Sequence, residues 1–270
     1  MAKMPIARGR TAPMTDSKQN IRISLEGNLA YLTFCRPEKR NAINDRTLAE
    51  LRDFFAAPPK GVRCVIMSGE GGHYSAGLDL SEAVERNSVD VFRHSRSWHE
   101  VMDLMQFGGL PIVSAMQGAV MGGGLEIAAA THVRIAEPSV KFQLPEGKRG
   151  IYVGGGATAR ISRIVGPDRM TEMMLTGRIY SGEEGQRIGL AHYLVGEGEA
   201  LAKAKELAEN IATNSTLINQ MVIQGIARIN DMSRADGLYV ESLTAAMTQT
   251  GPDAREGLKA FLEKRKPNFS

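Results

Sequence analysis

The stretch "MGGGLEIAAATHVRIAEPSVKFQLPEG" (residues 121–147) places three glycines directly before Glu126, and a second glutamate, Glu146, in a Pro-Glu-Gly turn. Consecutive glycines begin a helix poorly unless the backbone itself must approach another group closely. A carboxylate on an apolar helix is costly unless it is paired or used in chemistry. The stretch therefore raises the possibility of a functional turn with two acids.

A second stretch, "CVIMSGEGGHYSAGLDLSE" (residues 64–82), has the same order of apolar strand, glycines and helix start. The first N–H groups of a helix have no partner within it and carry the positive end of its dipole. Two such groups converging on one oxygen would form an oxyanion hole. Neither stretch contains a nucleotide-phosphate motif.

Each feature alone also has a structural explanation: a strand-to-helix turn for the glycines, a helix N-terminus beside Glu126, and a solvated turn for Glu146. The combination favours a site that stabilises a negative oxygen and moves protons with two acids.

The charge of the chain argues against nucleic-acid binding. The 270 residues carry a net charge of +3, and residues 1–20 alone supply it, so the remaining residues are neutral overall. Residues 1–20 show no apolar periodicity and are predicted to be a disordered polar tail. A neutral folded body lacks the basic surface that RNA or DNA requires.

The composition predicts a cytoplasmic globular protein. No apolar run approaches the ~20 residues that span a bilayer, and the beginning of the sequence lacks a secretory signal. Cys35 and Cys64 both lie in strand-like runs and are predicted to be buried free thiols in a reducing compartment. The histidines have no spacing typical of a metal site, and no metal is expected.

Apolar patterning predicts an α/β fold followed by helices. The predicted strands are a hairpin at 21–34 and segments at 62–69, 111–118, 132–136 and 140–144. The predicted helices are 45–57, one containing Trp98 and Met105, 183–190, 198–212, 216–229, 233–249 and 252–264.

Five motifs in sequence order resemble the enoyl-CoA hydratase (crotonase) superfamily. They are "RPEKRNAIN" (36–44), "SAGLDL" (75–80), "MGGGLEIAAA" (121–130), "FQLPEGKRG" (142–150) and "FLEKRKPNF" (261–269). The resemblance implies a catalytic core of ββα spiral turns over residues 21–200. It also implies a C-terminal helical region, residues 201–270, that forms trimers or dimers of trimers.

The resemblance also implies site residues. The implied oxyanion hole consists of the backbone N–H groups of Leu78 and Gly123, and the implied catalytic acids are Glu126 and Glu146. Coenzyme A is expected to contact backbone near Arg40, Ala42 and Ala76, and Phe261 and Lys264 of a neighbouring subunit. The substrate is then a 2-enoyl-CoA thioester, without a separate cofactor.

Both acids favour addition of water to the double bond. A hydratase-lyase or hydratase-hydrolase of a hydroxycinnamoyl- or methylthioacryloyl-CoA type, an isomerase and an RNA-binding homologue are the alternatives. The sequence departs from the family pattern at Tyr152 and Val153, which are expected in the wall of the acyl pocket. His132 replaces a common aspartate and is expected to be structural.

Overall fold

The computed structural model describes residues 19–82 and 86–269. The predicted polar tail lies outside the described residues except for its last two positions. The strands and helices follow one another in the order β1 (Ile21–Glu26), β2 (Leu29–Phe34), α1 (Asp45–Ala56), β3 (Cys64–Gly69), α2 (Ser88–Phe107), β4 (Ile112–Met116), β5 (Ala119–Met121), α3 (Gly123–Ala129), β6 (Val133–Ala136), β7 (Lys141–Gln143), α4 (Ala157–Val165), α5 (Pro167–Thr176), β8 (Tyr180–Ser181), α6 (Gly182–Arg187), β9 (Tyr193–Leu194), α7 (Ala200–Ile211), α8 (Thr216–Ile229), α9 (Arg234–Gln249) and α10 (Pro252–Leu262).

The strands form two sheets. The predicted hairpin is confirmed: β1 and β2 are antiparallel around Gly27, whose φ of 59° suits a residue without a side chain. From β2 onward the first sheet is parallel, in the order β1-β2-β3-β4-β6-β9. The second sheet has the order β5-β7-β8; in the chain, β5 ends shortly before Glu126 and β7 ends shortly before Glu146.

The core lies on both faces of the parallel sheet. Strand β3 is buried along nearly its whole length, because a parallel sheet covered on both sides must be apolar on both. Helix α2 contributes Trp98, Met102 and Met105 to the main core. On the other face, α7 packs a row of alanines against the sheet. The predicted α/β fold is confirmed.

The C-terminal helices bury little of their surface within one chain. In α8, α9 and α10 the buried residues are Asn219, Gly237 and Ala260. Large apolar side chains on these helices are exposed instead: Leu217, Ile218, Val222, Ile226, Leu238, Tyr239, Leu243, Met247, Leu258, Phe261 and Leu262. Exposed apolar side chains in such number on neighbouring helices are typical of a protein-protein interface.

Several boundaries differ from the sequence prediction. The helix predicted at 183–190 ends at Arg187. Helices α4 and α5 were not predicted individually. Neither were the short strands β5, β8 and β9, because two- or three-residue strands exist only through their pairing partners.

Both cysteines are free and buried as predicted, and burial raises the pKa of the Cys64 thiol to about 12. None of the helices in the described part of the chain combines the length and apolar character that a membrane crossing requires.

Candidate active site

The first glycine-bearing turn presents the backbone N–H of Leu78. A parallel bridge joins Ile43 to Leu78: Ile43 N–H donates to the Gly77 carbonyl, and Asp79 N–H donates to the Ile43 carbonyl, each at 2.8 Å. In such a bridge the N–H of the middle residue points away from the neighbouring strand. The Leu78 N–H therefore faces the opposite side, where a cavity lies.

The second turn brings the Gly123 N–H to the same place. Gly123 is the first residue of α3, so its N–H has no acceptor within the helix. A Cβ on Gly77 would lie 3.0 Å from the Gly123 nitrogen, and a Cβ on Gly123 would lie 3.4 Å from the Leu78 nitrogen. Within residues 19–82 and 86–269, neither N–H donates a hydrogen bond to the protein. The two groups thus converge on one side of the cavity.

Glu126 lies on α3 and is fixed by two hydrogen bonds. Its Oε1 accepts from the N–H groups of Gly155, at 2.8 Å, and Ala157, at 3.0 Å. Burial raises the pKa of Glu126 to about 7, although these two N–H groups oppose the shift. Repulsion from Glu146 raises the pKa further. The carboxyl is therefore held in place and titrates near neutral pH.

Glu146 begins a 3-10 turn directly after the loop that follows β7. Its Oε2 is buried, and in the described structure it has no hydrogen-bond partner. Burial raises the pKa of Glu146, against the opposing effects of its own N–H and of Arg149. A buried polar atom without a partner is rare in a folded protein and calls for a ligand or a water.

Trp98 and two glycines shape the space between these groups. A Cβ on Gly123 would lie 2.7 Å from the Trp98 ring, and one on Gly155 would lie 2.9 Å from it. Real Cβ atoms do not approach so closely, so both positions require glycine.

The resulting cavity has a volume of about 420 Å³. Its apolar lining is formed by Leu78, Leu80, Val91, Trp98, Ile151, Tyr152 and Val153. The structure brings Leu78, Gly123, Glu126 and Glu146 together on this cavity. Tyr152 and Val153 also line it, at the place expected from the sequence.

The residues expected to contact coenzyme A lie outside the cavity lining. Arg40 and Ala76 are adjacent, since the Ala76 N–H donates to the Arg40 carbonyl at 2.9 Å. The Ala42 carbonyl accepts from the Arg36 guanidinium at 2.7 Å. This segment flanks the glycine-bearing turn that contains Leu78. Phe261 and Lys264 lie at the end of α10, exposed, so their contact with a neighbouring subunit stays a prediction.

His132 and Asp79 have structural partners. Burial lowers the pKa of His132 to about 4, and its Nδ1 accepts from the Ile112 N–H. Burial alone would raise the pKa of Asp79, but hydrogen bonds from Ser81 and Arg36 outweigh it and hold the pKa at about 2. Neither group is poised to exchange protons near neutral pH.

Sequence reasoning missed Arg160, which holds the loop that binds Glu126. Its guanidinium donates to Asp103 at 2.5 Å, to Gln106 at 2.7 Å and to the Gly155 carbonyl at 3.4 Å. The only local signal was the glycine run before α4. The partners on α2 are more than fifty residues away in sequence, and no local pattern reveals them.

Comparison with known proteins places these features in a family. The model of the enoyl-CoA hydratase/isomerase family matches residues 24–270. The chain is 31% identical to an enoyl-CoA hydratase of Mycobacterium tuberculosis, over 92% of this chain and 95% of that protein. It is 32% identical to a short-chain-enoyl-CoA hydratase of Clostridium acetobutylicum, over 92% and 96%.

Among solved structures, a protein of Rhodopseudomonas palustris provisionally named an enoyl-CoA hydratase is 43% identical. It superimposes with a TM-score of 0.89 and covers 91% of this chain and 95% of its own. The sequence match and the fold agree over nearly the whole chain, and the protein belongs to the enoyl-CoA hydratase/isomerase family.

Proposed function

We propose that the protein is an enoyl-CoA hydratase, which adds water across the double bond of a 2-enoyl-CoA thioester. The observation that carries this proposal is the meeting of two carboxyl groups and two unpartnered N–H groups on one cavity. The relatives named as hydratases support it over most of the chain.

The oxyanion hole acts on the thioester carbonyl. Its oxygen accepts hydrogen bonds from the Leu78 and Gly123 N–H groups, which draws electron density from the conjugated double bond. When water attacks the β-carbon, the electron pair of the double bond moves toward this oxygen and forms an enolate. Removing one donor from such a hole typically costs ~3–4 kcal/mol of transition-state stabilisation.

The two glutamates handle the water and its protons. Glu126, fixed by Gly155 and Ala157, accepts a proton from the attacking water as its oxygen bonds to the β-carbon. Glu146 delivers a proton to the α-carbon, which neutralises the enolate and restores the carbonyl. Glu146 lines the cavity, and its buried Oε2 has no hydrogen-bond partner among the described residues. One molecule of water is thereby added, and each carboxyl recovers its state by proton exchange.

The assembly and environment of the enzyme are part of the proposal. The exposed apolar surface of α8, α9 and α10 is buried in a trimer or a dimer of trimers, which brings Phe261 and Lys264 to a neighbour's coenzyme A. Backbone near Arg40, Ala42 and Ala76 contacts coenzyme A, and Phe261 and Lys264 contact its nucleotide part. Coenzyme A arrives as part of the substrate, no other cofactor is used, and the protein works in the cytoplasm.

A product-resolved assay tests the proposal. Crotonyl-CoA and a panel of longer, aryl and thio-substituted enoyl-CoAs are incubated with the wild type and with Glu126→Gln and Glu146→Gln. Mass spectrometry is expected to find a gain of one water, lost in both variants. Glu137→Gln is the matched control: Glu137 is also buried and accepts a backbone N–H, from Ala200, but does not line the cavity.

Other products would contradict simple hydration. Free coenzyme A or a cleaved aldehyde would indicate a hydrolase or lyase, and a shifted double bond without mass change would indicate an isomerase. No turnover with intact coenzyme A binding would overturn the role given to the glutamates.

A further inference from the structure

Three charged or polar side chains meet on the cavity that holds the glutamates. Asp45 Oδ1 lies 2.8 Å from His94 Nε2, and Asp45 Oδ2 lies 2.9 Å from the Arg86 guanidinium. They come from the first residue of α1, the segment before α2, and the second turn of α2. All three line the cavity, and the mechanism above uses none of them. We call Asp45, Arg86 and His94 the polar cluster.

Helix α2 leads from the oxyanion hole to the polar cluster. The Trp98 ring lies against Gly123, and the His94 ring meets the edge of Trp98, with centroids 6.4 Å apart. His94 precedes Trp98 by four residues, which is about 6 Å along a helix axis. Val91, about one turn further, also lines the cavity. An acyl chain that extends past the reacting double bond along α2 therefore reaches the cluster.

The cavity lining between the glutamates and the polar cluster is mainly apolar. Leu78, Trp98, Ile151 and Val153 are the nearest apolar lining. The side chains of Arg86 and His94 are only 24% and 20% exposed, so a terminal methyl group against them would strip water from a guanidinium and an imidazole without replacing the lost hydrogen bonds. Asp45 is 66% exposed and keeps its contact with solvent. A polar group on the acyl chain would replace them. The polar cluster thus favours acyl chains that carry a polar group at the position where the chain reaches it.

The hydrogen-bonding capacity of the cluster selects the polar group. Each oxygen of Asp45 already faces one partner. His94 Nε2 faces Asp45 Oδ1, which leaves Nδ1 of the imidazole for a hydrogen bond to a ligand. Arg86 uses one of its N–H groups on Asp45 and has others to donate. A hydroxyl group, which both donates and accepts, matches this combination.

The charge of the cluster disfavours a carboxylate. Asp45 is paired with Arg86, and Arg46, which also lines the cavity, is paired with Glu50 at 2.9 Å. Asp79 and Glu82 also line the cavity and are paired with Arg36, at 2.8 Å and 2.6 Å. Among these residues, each cation already has a carboxylate partner. A carboxylate on the acyl chain would therefore have to compete for it.

We propose that Asp45, Arg86 and His94 form a subsite for a hydroxyl group on the acyl chain, so that the preferred substrates are hydroxylated enoyl-CoA thioesters. This inference rests on the proposed function, because it places the acyl chain in the cavity of the two glutamates.

Binding of unreactive ligands tests the subsite independently of turnover. The dissociation constants of hexanoyl-CoA and 6-hydroxyhexanoyl-CoA, and of the eight-carbon pair, are measured by calorimetry. At one of these lengths the hydroxylated ligand is expected to bind about tenfold more tightly, which corresponds to ~1.4 kcal/mol. His94→Phe and Asp45→Asn are each expected to remove this ratio. Asp53→Asn is the control: Asp53 is an exposed residue of the same helix, paired with Arg52, and does not line the cavity.

The outcomes separate the two proposals. Equal affinity within both pairs, or a ratio unchanged in both variants, would overturn the hydroxyl subsite. So would tighter binding of the matching ω-carboxyl ligand. Turnover of the 2-enoyl forms is measured in parallel, since loss of hydration with the binding ratio intact would overturn the proposed function alone. Thermal unfolding of each variant checks that the fold is retained.

Discussion

Glu126 and Glu146 lie on the same cavity, but their surroundings are opposite. Glu126 is held by two backbone N–H groups from the loop before α4, whereas Glu146 has a buried oxygen without a partner. Burial raises the pKa of both carboxyls. The protein thus fixes the position of the Glu126 carboxyl, whereas the Glu146 carboxyl keeps an oxygen for a hydrogen bond to substrate or water.

The largest expected effect is on catalysis by either acid. Glu126→Gln and Glu146→Gln keep the shape of each side chain but cannot exchange a proton. We expect kcat for crotonyl-CoA to fall by roughly 10²–10⁴-fold in each, the range of general acid-base catalysis. Steady-state kinetics measures this. Activity within a few-fold of wild type in one variant would reduce the pair to a single working acid.

A methyl group beside the fixed acid is expected to have the next largest effect. A Cβ at position 155 would lie 2.7 Å from Glu126 Oε2, so Gly155→Ala must displace the carboxylate or the loop. We expect kcat to fall by about 10²-fold, since an error near 1 Å has costs of that order. Gly154→Ala is the matched control, because its Cβ would find no atom within 3.7 Å. Equal losses in both would show that general loop disruption, and not the position of Glu126, is responsible.

The free energy of unfolding is expected to depend on the side chain more strongly at position 126 than at position 146. Glu126→Ala leaves the Gly155 and Ala157 N–H groups buried without an acceptor, whereas Glu126→Gln retains an amide oxygen. We expect Ala to be less stable than Gln at position 126 by ~2 kcal/mol, the cost of orphaned buried donors. At position 146, where Oε2 has no partner to lose, the same pair is expected to differ by less. Chemical denaturation measures both differences, and similar values at the two positions would contradict the comparison.

The pH dependence gives the smallest effect. Because the pKa of Glu126 is about 7 and its ionised form accepts the proton of water, kcat/KM is expected to fall about tenfold per pH unit below pH 7. Arg160 lowers the pKa of Glu126 by its charge, so Arg160→Met is expected to move this limb to higher pH. Arg163→Met, which removes an exposed pair with Asp231, is the control. A limb that stays in place in Arg160→Met would contradict the electrostatic role.

The features that could be predicted from the sequence are those that depend on a few neighbouring residues. Gly77 and Gly123 stand where a Cβ would collide with Met121 O and with the Trp98 ring, and glycine-rich turns of this kind are recognisable from a few neighbouring residues. The hairpin at Gly27 and the buried strand β3 are equally local.

Side-chain partnerships between distant segments were not predictable. His94 meets Asp45 across 49 positions, and Arg160 meets Asp103 across 57. Nothing in the residues around either partner encodes the other, because a third element determines their approach. Helices α8 to α10 were predicted from the sequence, but within residues 19–82 and 86–269 their apolar faces stay exposed.

The loop after Glu146 has a consequence for how this enzyme can change. Val153 lines the cavity in which we propose the acyl chain binds, and two residues later the Gly155 N–H donates to Glu126. Mutations that reshape the pocket for a new acyl group therefore act on the same short segment that positions the acid. Selection for a new substrate and selection for speed are coupled here, and a change of specificity at Val153 is expected to require a compensating second mutation nearby.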